Sequence, residues 1–526
     1  MRSSRILRDA VSALTLLALT GCNSMVGLNE LSLDEGSGPA PECTTNQQCT
    51  DRATAAASAA QAVPAVCVKA TGRCVELLTQ DCDTITGPYL DDEAILLGSL
   101  FSTKGPQMAT NIPRQQSATL AIEQINAVGG VPSGSTSTKV RKLVMLSCDE
   151  ATDLQRAGGH LVQALRVPAI VGPNTSQDTL ELSTTLTVPA GTVVMTPTGV
   201  ASSIASLSDD DLTWLMVPSD VQRAPLMISQ INELETALKA DGSKTAVKLG
   251  IIFRNDALGI GSRTALNDLR INGKPLADSV NLGKNVLIDP YDAREASLQS
   301  IVEKYVTFAP DIVVLAGTAE AITKVMDPLE AQWSAGVPRP SYVLIDSVKV
   351  PELLASAKND DLRRRIRGTG ITPGPAGKNT PAETLNGFQI DYGVRYNGST
   401  ATISGMGPSH DAAYAIGLAL AATKDQEVSG RSIAQGLRKL AGGSLRLPTS
   451  GTNVLPAFQK LAAGEKIAAV GTFGMLDWDA NGAVVGGTLE MWCIGGTSDK
   501  PAYQTSGLFF DIKTQMQTGT YTPCTP

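Results

Sequence analysis

Three short clusters of hydroxyl, amide and carboxylate side chains carry the chemistry that this 526-residue chain offers. Asn174-Thr175-Ser176 stands where an apolar strand ends and a helix begins. Hydroxyls and backbone N–H groups at such a place suit a carboxylate, helped by a helix dipole worth roughly 0.3–1 kcal/mol. The same residue types are favoured helix N-caps, so Ser176 can contact a ligand, cap a helix, or do both. Thr196 and Thr198 flank Pro197 at the next strand end. Their hydroxyls would complete an anion site or cap a turn. Thr318 follows the apolar run Ile312–Ala316, and Asp346-Ser347 follows Tyr342–Ile345. Asp346 is the candidate acceptor for an ammonium group, because a buried carboxylate facing no cation is costly. Helix capping is the competing role for it. Thr103 and Lys104, just after the first strand, add a hydroxyl and an unexpected cation to a candidate cleft rim.

Catalytic chemistry has little to stand on. The chain has two histidines, His160 and His410, and no HExxH, GxSxG or GxxxxGK[ST] pattern. Gly259-Ile260-Gly261 begins like a dinucleotide fingerprint, but position 264 is Thr where that motif needs Gly. No CxxC pair and no metal-ligand spacing stand out, so no cofactor or metal is expected. The 51 acidic against 43 basic residues give a formal charge of −8, which argues against nucleic acid as a partner.

The elements that must position these residues are strands followed by helices. Ala94–Phe101 is a nearly unbroken apolar run, as expected of a strand covered on both faces. Ser102–Pro106 breaks it. Beyond Pro113, apolar residues fall at helical spacing through Val128, and Gly129-Gly130 then Pro132 stop the helix. Strand-like runs recur at Leu143–Leu146, Ala169–Gly172, Thr192–Met195, Leu249–Phe253, Ile312–Ala316 and Tyr342–Ile345. Helical patterns lie between them, at Leu154–Leu165, Ala224–Leu238, Gly261–Leu269, Ala296–Tyr305 and Ala319–Leu329. This alternation predicts an α/β chain with doubly wound parallel sheets. Such sheets bind small ligands outside the carboxyl ends of their strands.

Several pieces, in order, resemble the type I periplasmic solute-binding proteins, the leucine/isoleucine/valine-receptor family. They are Thr103–Pro106 with Ala121–Gly130, Ala169–Ser176, Met195–Thr198, Trp214–Pro225, Phe253–Gly261 and Asp477–Gly482. The resemblance implies two doubly wound lobes joined by three crossover strands, with a ligand enclosed between them. It also implies ABC permease subunits of the branched-chain amino-acid class as partners. In amino-acid receptors of the family an aromatic residue stands where this chain has Leu258, which puts an ordinary amino-acid ligand in doubt. His410-Asp411-Ala412 resembles the family's "Y-D-A" helix start, with Asp411 favourable at the helix dipole and His410 as a cap or surface residue.

The first residues read as a targeting signal. Arg2, Arg5 and Arg8 precede the apolar run Ala10–Thr20, and Leu19-Thr20-Gly21-Cys22 resembles a lipobox with Cys22 as the lipidation site. That places the protein in a bacterial cell envelope, lipid-anchored and facing the periplasm or the surface. Eight further cysteines, Cys43, Cys49, Cys67, Cys74, Cys82, Cys148, Cys493 and Cys524, fit disulfides in an oxidising compartment. Two bridges within Cys43–Cys74, then Cys82–Cys148 and Cys493–Cys524, are expected, though spacing alone does not fix connectivity.

The expected organisation is a signal peptide over 1–21, a tether over 22–41 and a cysteine-rich module over 42–88. Lobe 1 then takes 89–222 and 372–470, lobe 2 takes 223–371, and 471–526 crosses back to finish lobe 2. Within the module, 53–66 is Ala/Ser/Gln-rich and reads as helix or loose loop. The function expected is capture of a small polar ligand, an amino acid, amide or related carboxylate, for a transporter. The alternative is a surface sensor or adhesion lipoprotein that uses the same fold without transport.

Overall fold

The computed structural model describes residues 41–525 except 135–138, 241, 243 and 425. The signal segment, most of the tether and Cys22 lie outside the described residues. Among the described residues, no helix is long and apolar enough to cross a membrane.

The apolar runs become two sheets. The first orders its strands Thr213–Leu215, Val193–Thr196, Ala169–Val171, Ile95–Phe101, Leu143–Asp149 and Cys82–Thr86. All are parallel except the last, which runs antiparallel along Leu143–Asp149 as an edge. Residues 82–86, grouped by composition with the cysteine-rich module, therefore belong to this sheet. The Cys82–Cys148 disulfide ties the edge strand to its neighbour.

The second sheet orders Val286–Tyr291, Leu249–Arg254, Ile312–Ala316, Ser341–Leu344 and Ile366–Thr372 in parallel. Thr488–Thr497, Lys500–Asp511 and Met516–Thr518 then extend it antiparallel. Cys493–Cys524 fastens that extension to the last described residues.

Three connections join the sheets, over 216–219, 373–380 and 471–487. The last of them is held to the end strand of the first sheet. Trp214 and Trp478 meet edge-to-face at 5.3 Å, and the Trp478 indole donates to the Leu215 carbonyl at 2.8 Å.

Helices cover both faces. Met406–Thr423 is buried along its whole length, against Met108–Ala127, Gly430–Leu437 and Val454–Ala462. Its alanines and glycines allow this close approach; a Cβ on Gly417 would stand 2.5 Å from Ile125. The helix begins at Met406, so Asp411 lies inside it and not at its N-terminus. The Asp411 carboxylate instead accepts from Thr449 and from the Thr472 amide and hydroxyl. His410 is neither cap nor surface: it is buried between Phe388 and Tyr414 and bonds Gln124 at 3.2 Å.

The N-terminal module is a helix, Asn46–Ala56, on a hairpin of Ala65–Val68 and Arg73–Glu76. Its helix starts in polar sequence upstream of the Ala/Ser-rich stretch, because Thr45 and Gln48 form a capping box. Cys43–Cys67 and Cys49–Cys74 close it with loops of 24 and 25 residues. At roughly 3 kcal/mol for a loop of that order, these bridges substitute for a core too small to suffice.

Candidate functional site

The carboxyl ends of both sets of parallel strands face a cavity of about 180 Å³ between the sheets. From the first sheet it is lined by Asn174, Thr175, Ser176 and Thr198; from the second by Leu258, Thr318, Asp346 and Ser347. Sequence-distant residues with candidate roles thus meet in one place.

Each lobe-1 residue is held by local bonding. Thr175 is the N-cap of helix Ser176–Leu182, accepting from the Asp178 amide at 3.0 Å. The buried Ser176 hydroxyl accepts from the amides of Val200 and Ala201 at 3.0 and 3.1 Å. It ties one strand end to the next, and its own proton remains to be donated. Thr198 donates to the Asn174 carbonyl at 2.7 Å, and Asn174 donates to Asn111 at 2.6 Å.

Asn111 in turn accepts from Arg114 at 3.0 Å, while the Arg114 Nε–H donates to the Ser404 carbonyl at 2.8 Å. Arg114 lines the cavity and makes no ion pair among the described residues. Burial pulls its pKa down to about 10 against the pull of Asp346, so it stays charged at neutral pH.

Lobe 2 is dense in charge. Asp346 is paired with the buried guanidinium of Arg223, which comes from helix Asp220–Lys239 of the same lobe. Arg254 pairs with Asp256 at 2.7 Å and donates to the Thr318 hydroxyl at 3.2 Å. Lys349 pairs with Glu490 at 3.3 Å. Ser347 spends its proton on the Gly317 carbonyl at 2.6 Å. Leu258 joins Val200, Val217 and Ile371 as an apolar wall. The cavity thus sets a hydrocarbon wall against hydroxyl groups and charges of both signs.

Three expected residues lie elsewhere. Thr196 is fully buried; its hydroxyl donates to the Pro173 carbonyl at 2.7 Å and accepts from Gly199 at 3.0 Å, fixing a turn. The Thr103 and Lys104 amides are drawn onto the Asp149 carboxylate at 2.7 and 3.0 Å, and the Lys104 ammonium bonds the Gln80 carbonyl at 3.0 Å. Both face a separate groove beside the edge strand Cys82–Thr86. The first turn reaches the cavity through Pro106 and Gln107 instead.

Neither a family model nor a curated relative matches the sequence. Solved structures do match the fold. A leucine-binding protein of Thermotoga maritima aligns with a TM-score of 0.56 at 13% identity, covering 78% of this chain and 98% of that one. A type 1 periplasmic binding protein of Bordetella pertussis gives 0.54 at 15% identity, covering 78% and 100%. A branched-chain amino acid transporter substrate-binding protein of Streptococcus pneumoniae, solved with isoleucine, gives 0.52 at 16% identity, covering 78% and 99%.

The fold is that of the type I periplasmic binding proteins. The type I arrangement explains why the site is split between strand ends of two lobes. It also explains what the sequence alone misses: Arg114, Arg223, Arg254 and Lys349. Arg114 lies in the second turn of helix Met108–Ala127, which starts five residues before Pro113 and carries that proline inside it. Arg223 lies within the crossover-like stretch Trp214–Pro225, but a lone Arg on a helix gives no sign of the Asp346 it will meet.

Proposed function

We propose that this protein is an extracytoplasmic solute-binding receptor that captures a small carboxylate-bearing molecule between its lobes. The observation that carries the reading is Arg114: a charged guanidinium without an ion pair among the described residues, on the wall of the interlobe cavity. An uncompensated cation in such a place is relieved by an anionic ligand. Ser176 and Thr198 supply hydroxyls on the same lobe, and the Leu258 wall takes the ligand's hydrocarbon part. Amino acids, amides and related carboxylates are the class considered.

Lipidation at Cys22, anchoring in a bacterial envelope and delivery to an ABC permease of the branched-chain amino-acid class complete the proposal. These rest on the lipobox-like sequence and on what the structurally similar proteins do.

The test is a thermal-shift screen of amino acids, amides, short organic acids and sugars. A ligand at 100 times its Kd should stabilise the protein by about 2.7 kcal/mol. No shift with any of them rejects the receptor reading and favours a sensor or adhesion role. Metabolic labelling with a fatty acid, lost in Cys22→Ser, tests the anchor.

A further inference from the structure

We propose that the ligand is a carboxylate without an ammonium group: the charge of Asp346, the cavity carboxylate that a ligand's amine would need, is already offset by the Arg223 guanidinium. The inference rests on the receptor reading above and narrows it.

A pocket for a zwitterion needs a cation for the carboxylate and an uncommitted anion for the ammonium. This cavity has the first in Arg114. It lacks the second. Asp346, the carboxylate at the strand end, is ion-paired inside its own lobe to Arg223. Arg223 is buried, bonds the Pro218 carbonyl through Nε at 2.8 Å at the helix start, and meets Asp346 from outside the ligand cavity. An incoming ammonium would have to share Asp346 with a guanidinium, and the like charges would repel across a partly desolvated gap.

The remaining charges agree. Arg254 and Lys349 are neutralised by Asp256 and Glu490. Glu352, the other lining carboxylate, is exposed at the rim in the first turn of helix Pro351–Ser356, where water and the helix end satisfy it. No aromatic ring stands at position 258 to cover an ammonium. Val217 and Ile371 are among the cavity's walls and suit a methylene or methyl group.

The experiment uses matched pairs on the full-length protein at pH 7, by thermal shift and calorimetry. Alanine, valine, leucine, isoleucine and phenylalanine are each compared with the acid lacking the amine, so that leucine is set against 4-methylpentanoate. Binding of an acid at least tenfold tighter than its amino partner, weakened at least tenfold by Arg114→Gln, supports the proposal. An amino acid that binds as tightly as its partner acid, or tighter, overturns it while leaving the receptor reading intact. No binding by any member of either set overturns the proposal, and the wider screen of amides, organic acids and sugars then decides the receptor reading.

Arg223→Met supplies the complementary arm. It frees Asp346 and should shift preference toward the amino partner by about tenfold or more; an unchanged ratio in a folded variant overturns the role given to Arg223. Should that variant not fold, Asp346→Asn tests the same point. Under the proposal it leaves the affinity for the amino partner unchanged; a tenfold or greater loss of that affinity would show Asp346 holding an ammonium and overturns the proposal.

Discussion

Ser176 shows how one hydroxyl serves the fold and the site together. Its oxygen holds the amides of Val200 and Ala201, and its hydrogen remains free for the cavity. Ser176→Ala therefore strands two buried donors, at a cost of about 1–3 kcal/mol for each that finds no water. Chemical denaturation should show that loss, and calorimetry should show weaker binding of a carboxylate ligand. Unchanged affinity would remove Ser176 from the anion site. Glu150 sits deeper. It is buried, with one oxygen accepting from Ser102 at 3.2 Å and the other without a partner among the described residues. Burial, then the neighbouring Asp178 and Asp149 charges, push its pKa well above the ordinary 4.5. A carboxyl whose folded pKa is raised binds more protons in the folded state than in the unfolded one. Stability consequently falls as pH rises from about 4.5 through the folded value, and stays lost above it. Glu150→Gln, a mimic of the protonated form, should stabilise the protein more at pH 8 than at pH 5; equal effects at both would refute the assignment.

Helix Ala257–Ala265 gives the clearest lesson at the scale of elements. Its Gly259-Ile260-Gly261 resembles a nucleotide loop, yet both glycines answer to packing. A Cβ on Gly259 would stand 2.0 Å from the Arg254 carbonyl, and one on Gly261 would stand 2.0 Å from the Asp220 carboxylate. Gly259→Ala must move backbone, whereas Gly261→Ala must displace one side chain. Overpacking costs typically 1–3 kcal/mol, so both should lower the melting temperature, Gly259→Ala more. The reverse order would argue against rigid packing of this helix on its strand. Buried parallel strands were legible in the sequence because continuous apolar runs with small residues at their ends have few other uses. Ile312–Ala316 is the plainest case, and Asn174–Ser176, Thr318 and Asp346 follow directly as strand ends. Ile366–Thr372 and Thr488–Asp511 were not legible. They carry glycines and mixed polarity, and their antiparallel pairing joins segments more than a hundred residues apart. The charged half of the site was hidden for a related reason: Arg223 and Asp346 lie 123 positions apart in sequence and meet only in the folded lobe. Thr103, Lys104 and Thr196 were misplaced because a strand end exposes residues in two directions, and only Asp149 and Pro173 decide which way each turns.

At the scale of the molecule, both lobes contribute walls to one small cavity, and three connections join them. A ligand that touches both walls stabilises the closed arrangement by the contacts available only there. The connection over 471–487 is held to the end strand of the first sheet by Trp478 on Trp214 and Leu215, and the Gln222 side chain reaches its Val484 carbonyl at 2.6 Å. Small-angle scattering with and without a saturating carboxylate ligand should give a smaller radius of gyration in the bound state at unchanged mass. Hydrogen exchange should slow at the cavity-facing strand ends on both lobes. Trp478→Leu removes the indole donor and the edge-to-face contact, and should broaden the unliganded distribution while the bound one stays compact. Should the ligand bind with no change in dimensions and protect one lobe alone, capture would be a single-lobe event. The Leu258 wall and the Arg223–Asp346 pair would then have no part in choosing what enters.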